Sequence, residues 1–103
     1  MEQTNKKILS LLGLATRSGN VVSGEFSTEK SVKEGSSKLV IVASDASDNT
    51  KKEFRDMCTY YHVPYTVYGT KETLGHSMGK EMRASLSIKD DGFANSITKL
   101  LQG

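Results

Sequence analysis

Lys38-Leu39-Val40-Ile41-Val42-Ala43 is an unbroken apolar run of strand length, rich in β-branched residues. A half-buried strand alternates apolar and polar side chains, so a run without alternation reads as a strand covered on both faces. Covering both faces takes helices above and below the sheet, which makes the chain α/β.

Downstream of the run, Ser44 to Asn49 form a polar turn. Thr50 and Glu53 have the spacing of a capping box, and Phe54, Met57, Cys58 and Tyr61 mark the buried face of the helix that follows. Val63-Pro64 ends that helix, because a residue preceding proline is pushed out of the α region. Tyr65 to Tyr68 read as a strand. Thr70 to Ser77 read as a short helix with Leu74 inward, its end loosened by Gly75 and Gly79. Arg83 to Ile88 form the last strand, with Ala84, Leu86 and Ile88 alternating against Ser85 and Ser87. Asp90-Asp91-Gly92 turns the chain into a terminal amphipathic helix carrying Phe93, Ile97, Leu100 and Leu101.

Upstream, Gly24-Glu25-Phe26-Ser27-Thr28-Glu29-Lys30-Ser31-Val32-Lys33-Glu34-Gly35 is a short helix bounded by glycines. Gly35 ends it in the left-handed conformation that glycine adopts cheaply. The start at Gly24 has backbone N–H groups without partners and no Cβ in the way, a disposition suited to phosphates or base edges. Lys30, nearly two turns along, can reach back toward the same ligand. Val21-Val22 precede it as a short strand. Before them, Ile8, Leu11, Leu12 and Ala15 share one face of a first helix from about Thr4 to Arg17, stopped at Ser18-Gly19-Asn20. Strands separated by helices imply crossovers and a mostly parallel or mixed central sheet with helices on both faces. The chain reads as one domain over residues 1–103, with no internal repeat or linker.

With 25% charged and 36% apolar residues, the composition is that of a soluble globular protein. The net charge is only +2, and residues 1–35 carry five basic and four acidic side chains. Any surface for an anionic polymer is therefore a local patch rather than a global field. The lone cysteine, Cys58, rules out an internal disulfide and points to a reducing compartment. Lys6-Lys7 followed by Ile8 to Ala15 imitates a signal peptide. Ser10, Gly13 and Arg17 break that pattern, and no small-x-small cleavage site follows. A cytoplasmic protein is the expectation.

Phosphate-loop and dinucleotide fingerprints are absent. Cys58 and His62 have ligand-like i, i+4 spacing, with His76 as a possible third, but zinc needs three or four such groups. Cys58 fits better in the core and His62 at a helix C-terminus. Asp45, Asp48, Asp90 and Asp91 are explained by capping and turn roles. No catalytic group, metal or cofactor is expected. The remaining constellation is one for nucleic acid: the Gly24–Lys30 helix start, Ser44-Asp45 past the central strand, Arg17-Ser18 at the end of the first helix, and Met82-Arg83-Ala84 before the last strand. In the last of these an apolar tip can pack on an unstacked base while Arg83 meets a phosphate.

Taken in order, these segments resemble the kink-turn-binding ribosomal proteins of the L-seven-Ae and L-thirty-e type, most of all their small bacterial YlxQ-like members. The resemblance rests on residues 12–19, on Val22-Ser23-Gly24 through Lys30 and Val32, on residues 39–47, and on Asn49-Thr50-Lys51-Lys52. Val63-Pro64-Tyr65 and residues 74–80 complete it. It implies a three-layer α/β/α sandwich around a four-stranded mixed sheet. It also implies a non-enzymatic, ribosome-associated RNA-binding protein that recognises a sharply bent internal loop with tandem sheared G·A pairs. Its partners would be ribosomal or other structured RNA, and ribosomal proteins; neither a membrane nor a small-molecule substrate is implied. By position, Lys30 takes the RNA-contacting lysine, Asp45 the acidic turn residue, and Met82 to Ala84 the apolar loop that receives a flipped base. Gly24, Glu25, Phe26, Ser27, Lys33, Ser44 and Arg17 complete the candidate RNA-binding set. The chain departs from the family's best-known binders at one place, where Phe26 and Ser27 stand for an Asn-Glu pair. Phe26 either stacks on a base or turns inward as core, the inward placement being preferred. Ser27 keeps a hydroxyl donor but no carboxylate. Two other readings are a protein-interaction adaptor on the same fold and a small-molecule enzyme.

Overall fold

The structure is a computed structural model and describes residues 2–102. In chain order the elements are α1 (Glu2–Arg17), β1 (Val21–Ser23), α2 (Glu25–Lys33), β2 (Leu39–Val42), α3 (Asp48–Tyr61), β3 (Tyr65–Val67), α4 (Lys71–Ser77), β4 (Ser85–Ile88) and α5 (Asp91–Gln102). The strands form one sheet in the order β1-β4-β2-β3. β4 is antiparallel to both neighbours, and β2 and β3 are parallel. The sheet is therefore mixed, with β2-α3-β3 as its parallel crossover.

All four residues of β2 are buried, as an unbroken apolar run requires. α2 and α3 pack together on one face of the sheet, and α1, α4 and α5 cover the other. Ile8, Leu12, Leu74, Leu86, Ile88 and Ile97 join β2 in the core, with Phe54, Cys58 and Val32. Each fully buried aliphatic side chain of this kind contributes about 1.5–3 kcal/mol.

Four local expectations change. The α3 cap is Ser47, whose Oγ accepts the Thr50 N–H at 3.1 Å, so the helix starts before Thr50 and the Thr50/Glu53 box does not form. A capping box occurs instead at α4, where Thr70 and Thr73 exchange side-chain and backbone hydrogen bonds. Tyr61 is exposed beside Tyr60, against which its ring packs edge-on at 4.9 Å. α3 ends there because His62 adopts φ 59, a left-handed turn placed before Pro64. Gly75 does not loosen α4. It is buried, and a Cβ there would lie 1.6 Å from the Glu81 carbonyl oxygen, so it allows the returning loop to close on the helix.

Ser85 and Ser87, which alternate with the apolar residues of β4, do not face solvent. Both are buried, because β4 is an interior strand and α2 lies over their face. Ser87 Oγ lies 2.8 Å from Ser31 Oγ and donates to Ser37 Oγ at 2.7 Å, while Ser85 Oγ donates to Thr28 Oγ1 at 3.3 Å. A hydroxyl seam thus joins α2 to the sheet, and among the described residues no buried side-chain polar atom lacks a partner.

Candidate nucleic-acid interface

The sheet register fixes which loops meet. Ser23 pairs with Leu86 and Val42 with Ser85, so β1 and β2 both end where β4 begins. β3 runs parallel to β2 and ends at the same edge. Gly24, Ser44-Asp45, Gly69-Thr70 and Met82–Ala84 therefore form a single rim, although they are far apart in sequence.

Hydrogen bonds lace the rim together. The Gly24 N–H donates to the Ser85 carbonyl at 2.9 Å, which seats the start of α2 against β4. Arg83 Nε donates to Ser23 Oγ at 3.1 Å, and Arg83 Nη1 to the Met82 carbonyl at 3.0 Å. The Arg83 N–H donates to the Lys71 carbonyl at 3.0 Å, and the Lys71 N–H to Asp45 Oδ1 at 2.8 Å. Ser44 donates to the Gly69 carbonyl through both its N–H and its hydroxyl, each at 2.7 Å. Asp45 thus holds the first turn of α4, a turn role that positions the loop before β4. Ser23, Gly69 and Lys71 were not singled out by sequence reasoning. Their sole local signal is adjacency to Gly24 and to the Thr70 cap.

At the α2 start, Gly24 has φ 93 and ψ 160, and no side chain caps the helix. The first intrahelical bond runs from the Thr28 N–H to the Gly24 carbonyl at 3.0 Å. The N–H groups of Glu25, Phe26 and Ser27 therefore have no intrahelical acceptor, and a Cβ on Gly24 would meet nothing within 4 Å. Phe26 is 80% exposed, which corrects its expected core placement. The inward stripe of α2 is Thr28, Ser31 and Val32, and Phe26 lies about 200° around the helix from Thr28. Glu25 and Lys30 are exposed and Ser27 half-buried. Met82 is 57% exposed at the tip of its loop, with Arg83 and Ala84 half-buried beneath it.

Two expected members are not among these rim loops. Lys33 sits in the last turn of α2, about 13 Å along the axis from Gly24, with its Nζ 3.0 Å from Glu29 Oε2. That hydrogen bond, with the Glu29 charge, raises the ammonium's pKa. Arg17 lies at the end of α1 and lines a groove of about 640 Å³ between α1 and α4, with Leu14, Glu72 and His76. Cys58 is buried, and desolvation pushes its thiol up to about 11, while His62 is exposed. Among the described residues no three His, Cys, Asp or Glu side chains are grouped to hold a metal ion. Nor is any helix among them long and apolar enough to cross a membrane.

The geometry can be set beside known proteins. Residues 6–98 match the model of the ribosomal protein L7Ae/L30e/S12e/Gadd45 family. The RNA-binding protein YlxQ of Bacillus subtilis is 46% identical over 91 residues, covering 88% of this chain and 91% of the relative. Large ribosomal subunit protein eL8 of Thermoplasma volcanium is 35% identical over 92 residues, covering 88% of this chain and 76% of its own. Among solved structures, a protein of unknown function from Bacillus halodurans C superposes with a TM-score of 0.91 at 40% identity, covering 94% and 98% of the two chains.

Proposed function

The chain belongs to the ribosomal protein L7Ae/L30e/S12e/Gadd45 family, and on that premise we propose that it is a single-domain, non-enzymatic, cytoplasmic RNA-binding protein. The observation that carries this reading is the uncapped start of α2 at the rim where β1 and β2 end and β4 begins. Three free N–H groups and an unobstructed Gly24 offer a strand of RNA donors that need no side chain to move aside. Lys30 adds a cation on the same helix. Met82 presents an apolar surface to an unstacked base, with Arg83 beneath it for a phosphate.

The target is structured RNA with a sharp bend, of the kink-turn kind, and the protein acts in association with the ribosome. Support for the ribosomal setting comes from the likeness to a large-subunit protein. The RNA-contacting set comprises Gly24, Glu25, Phe26, Ser27 and Lys30, with Ser44 and Asp45 shaping the rim and Met82, Arg83 and Ala84 forming its second lobe. Arg17 and Lys33 flank it, and contact with them requires an RNA long enough to pass beyond the rim.

The test is titration of a labelled kink-turn RNA at several salt concentrations, beside a control whose tandem G·A pairs are replaced by Watson–Crick pairs. Tight binding to the first and loss in the second is the expected result. Equal, steeply salt-dependent binding to both would retain RNA binding and remove kink-turn specificity. No binding to either would favour a protein-interaction adaptor. Lys30→Ala is expected to lower the slope of log K against log salt by about 0.7–0.9, the worth of one phosphate contact.

A further inference from the structure

Beside α2, on the side of the β1 edge, lies a shallow groove of about 210 Å³ lined by Val22, Phe26, Ser27, Lys30, Glu34 and Lys89. Phe26 and Lys30 stand at i, i+4 on one helical face, and Lys89 arrives from the end of β4. Phe26 is, among the described residues, the most exposed of the large apolar side chains, and an aromatic ring in that position gains nothing from the core. Among the described residues neither Lys30 nor Lys89 has a carboxylate within ion-pair distance. Glu34, which also lines the groove, accepts from Ser36 Oγ at 3.0 Å. β1 is the outermost strand, so alternate backbone groups along its outer edge have no strand partner.

We infer that this groove holds one unpaired RNA nucleotide, its base stacked on the Phe26 ring and its flanking phosphates met by Lys30 and Lys89. The inference rests on the RNA-binding reading and extends that surface from the strand-end rim around α2 to the β1 edge. The chemistry is that of single-strand recognition. An aromatic face accepts any base by stacking, and cations on either side follow the backbone. A protein partner is less well matched, because one exposed ring in a groove that also holds two lysines offers little apolar area to bury. At the position of Phe26 an amide side chain would read base edges by hydrogen bonding; a phenyl ring cannot. Recognition at this point therefore shifts from base edge to base face.

The experiment is a double-mutant cycle read by fluorescence anisotropy. Wild type, Phe26→Ala, Phe26→Trp and Lys89→Ala are titrated against a kink-turn RNA and against versions in which each unpaired nucleotide in turn is made abasic. Phe26→Ala is expected to weaken binding about five- to hundredfold, while Phe26→Trp restores it. The loss should vanish when one particular base is already missing, and persist when the others are removed. Lys89→Ala should reduce the salt slope by about 0.7. Because Phe26 is exposed, its removal leaves the core in place, and thermal melts of the variant should match wild type. Unchanged affinity in Phe26→Ala, or an equal loss on every abasic probe, would overturn the stacking role while RNA binding by the rim stands. Failure of the wild type to bind any of these RNAs would overturn both readings.

Discussion

At Gly24 the backbone takes φ 93 and ψ 160, a region that side chains avoid, yet a Cβ there would enter open space. Strain and steric cost are separable at this residue. Gly24→Ala should destabilise by about 1–3 kcal/mol through the backbone alone, seen as a lower urea midpoint with an unchanged m-value. Its methyl group should also stand where RNA approaches, so affinity should fall by more than in Lys30→Ala. The glycine itself was legible in the sequence. The orientation of Phe26, two residues on, was not, because two apolar-looking choices differ only in which side of α2 the sheet covers. Cys58 gives a second residue-scale prediction. Burial raises its thiol from 9.0 to about 11, so above pH 9 the unfolded chain releases a proton that the native chain keeps. Stability is then complete below pH 9 and falls as pH rises toward 11. Burial moves the Tyr65 and Tyr68 hydroxyls in the same direction, so Cys58→Ala should remove part of that decline, not all of it. At pH 8 the native thiol should resist iodoacetamide and react once urea unfolds the chain.

Among the elements, α2 is held by hydroxyls rather than by a broad apolar face. Its inward stripe is Thr28, Ser31 and Val32, set against Ser85 and Ser87 of β4. Directional bonds of this kind fix the position of the helix along the sheet, and hence where its open N-terminus points. Ser87→Ala would leave Ser37 without its 2.7 Å partner, a loss of about 1–3 kcal/mol measurable by urea unfolding. Alternation of Ser and apolar residues along β4 marks two faces of unlike chemistry without saying what covers the polar one. Local pattern cannot tell a solvated face from one covered by a polar helix, since both accept serine. α4 makes a second case. Gly75→Ala would drive a methyl group into the Glu81 carbonyl and force the 79–82 return to move. A loss of about 1–3 kcal/mol is expected, with NMR shift changes concentrated in Met82–Ala84 rather than in β2.

For the molecule as a whole, the sheet order is what turns separate loops into a surface. With β4 inserted antiparallel between β1 and β2, the ends of two strands and the beginning of a third lie on one side. The net charge of +2 supplies little long-range attraction, so the salt dependence of RNA binding should belong to particular lysines. Lys52 lies on the outer face of α3, 2.8 Å from Asp56. Lys52→Ala should leave the salt slope of RNA binding unchanged, whereas Lys30→Ala and Lys89→Ala each lower it. A uniform drop across all three variants would mean that a diffuse field, not the rim and its groove, attracts the RNA.

The sequence alone determined the α/β class, the burial of Leu39–Val42, the glycine-bounded helix and the family. Each is written in short-range periodicity, turn chemistry or local motifs, where neighbours in the chain are neighbours in space. The tertiary structure alone decided that β4 is an interior strand, that its serines are buried against α2, and that Phe26 faces solvent beside Lys30 and Lys89. It also set Lys33 in the last turn of α2, far along the axis from Gly24. These outcomes depend on which strands pair and on which face each helix covers. Both are contacts between distant residues, set by the free energy of the whole packing, and no local pattern encodes them.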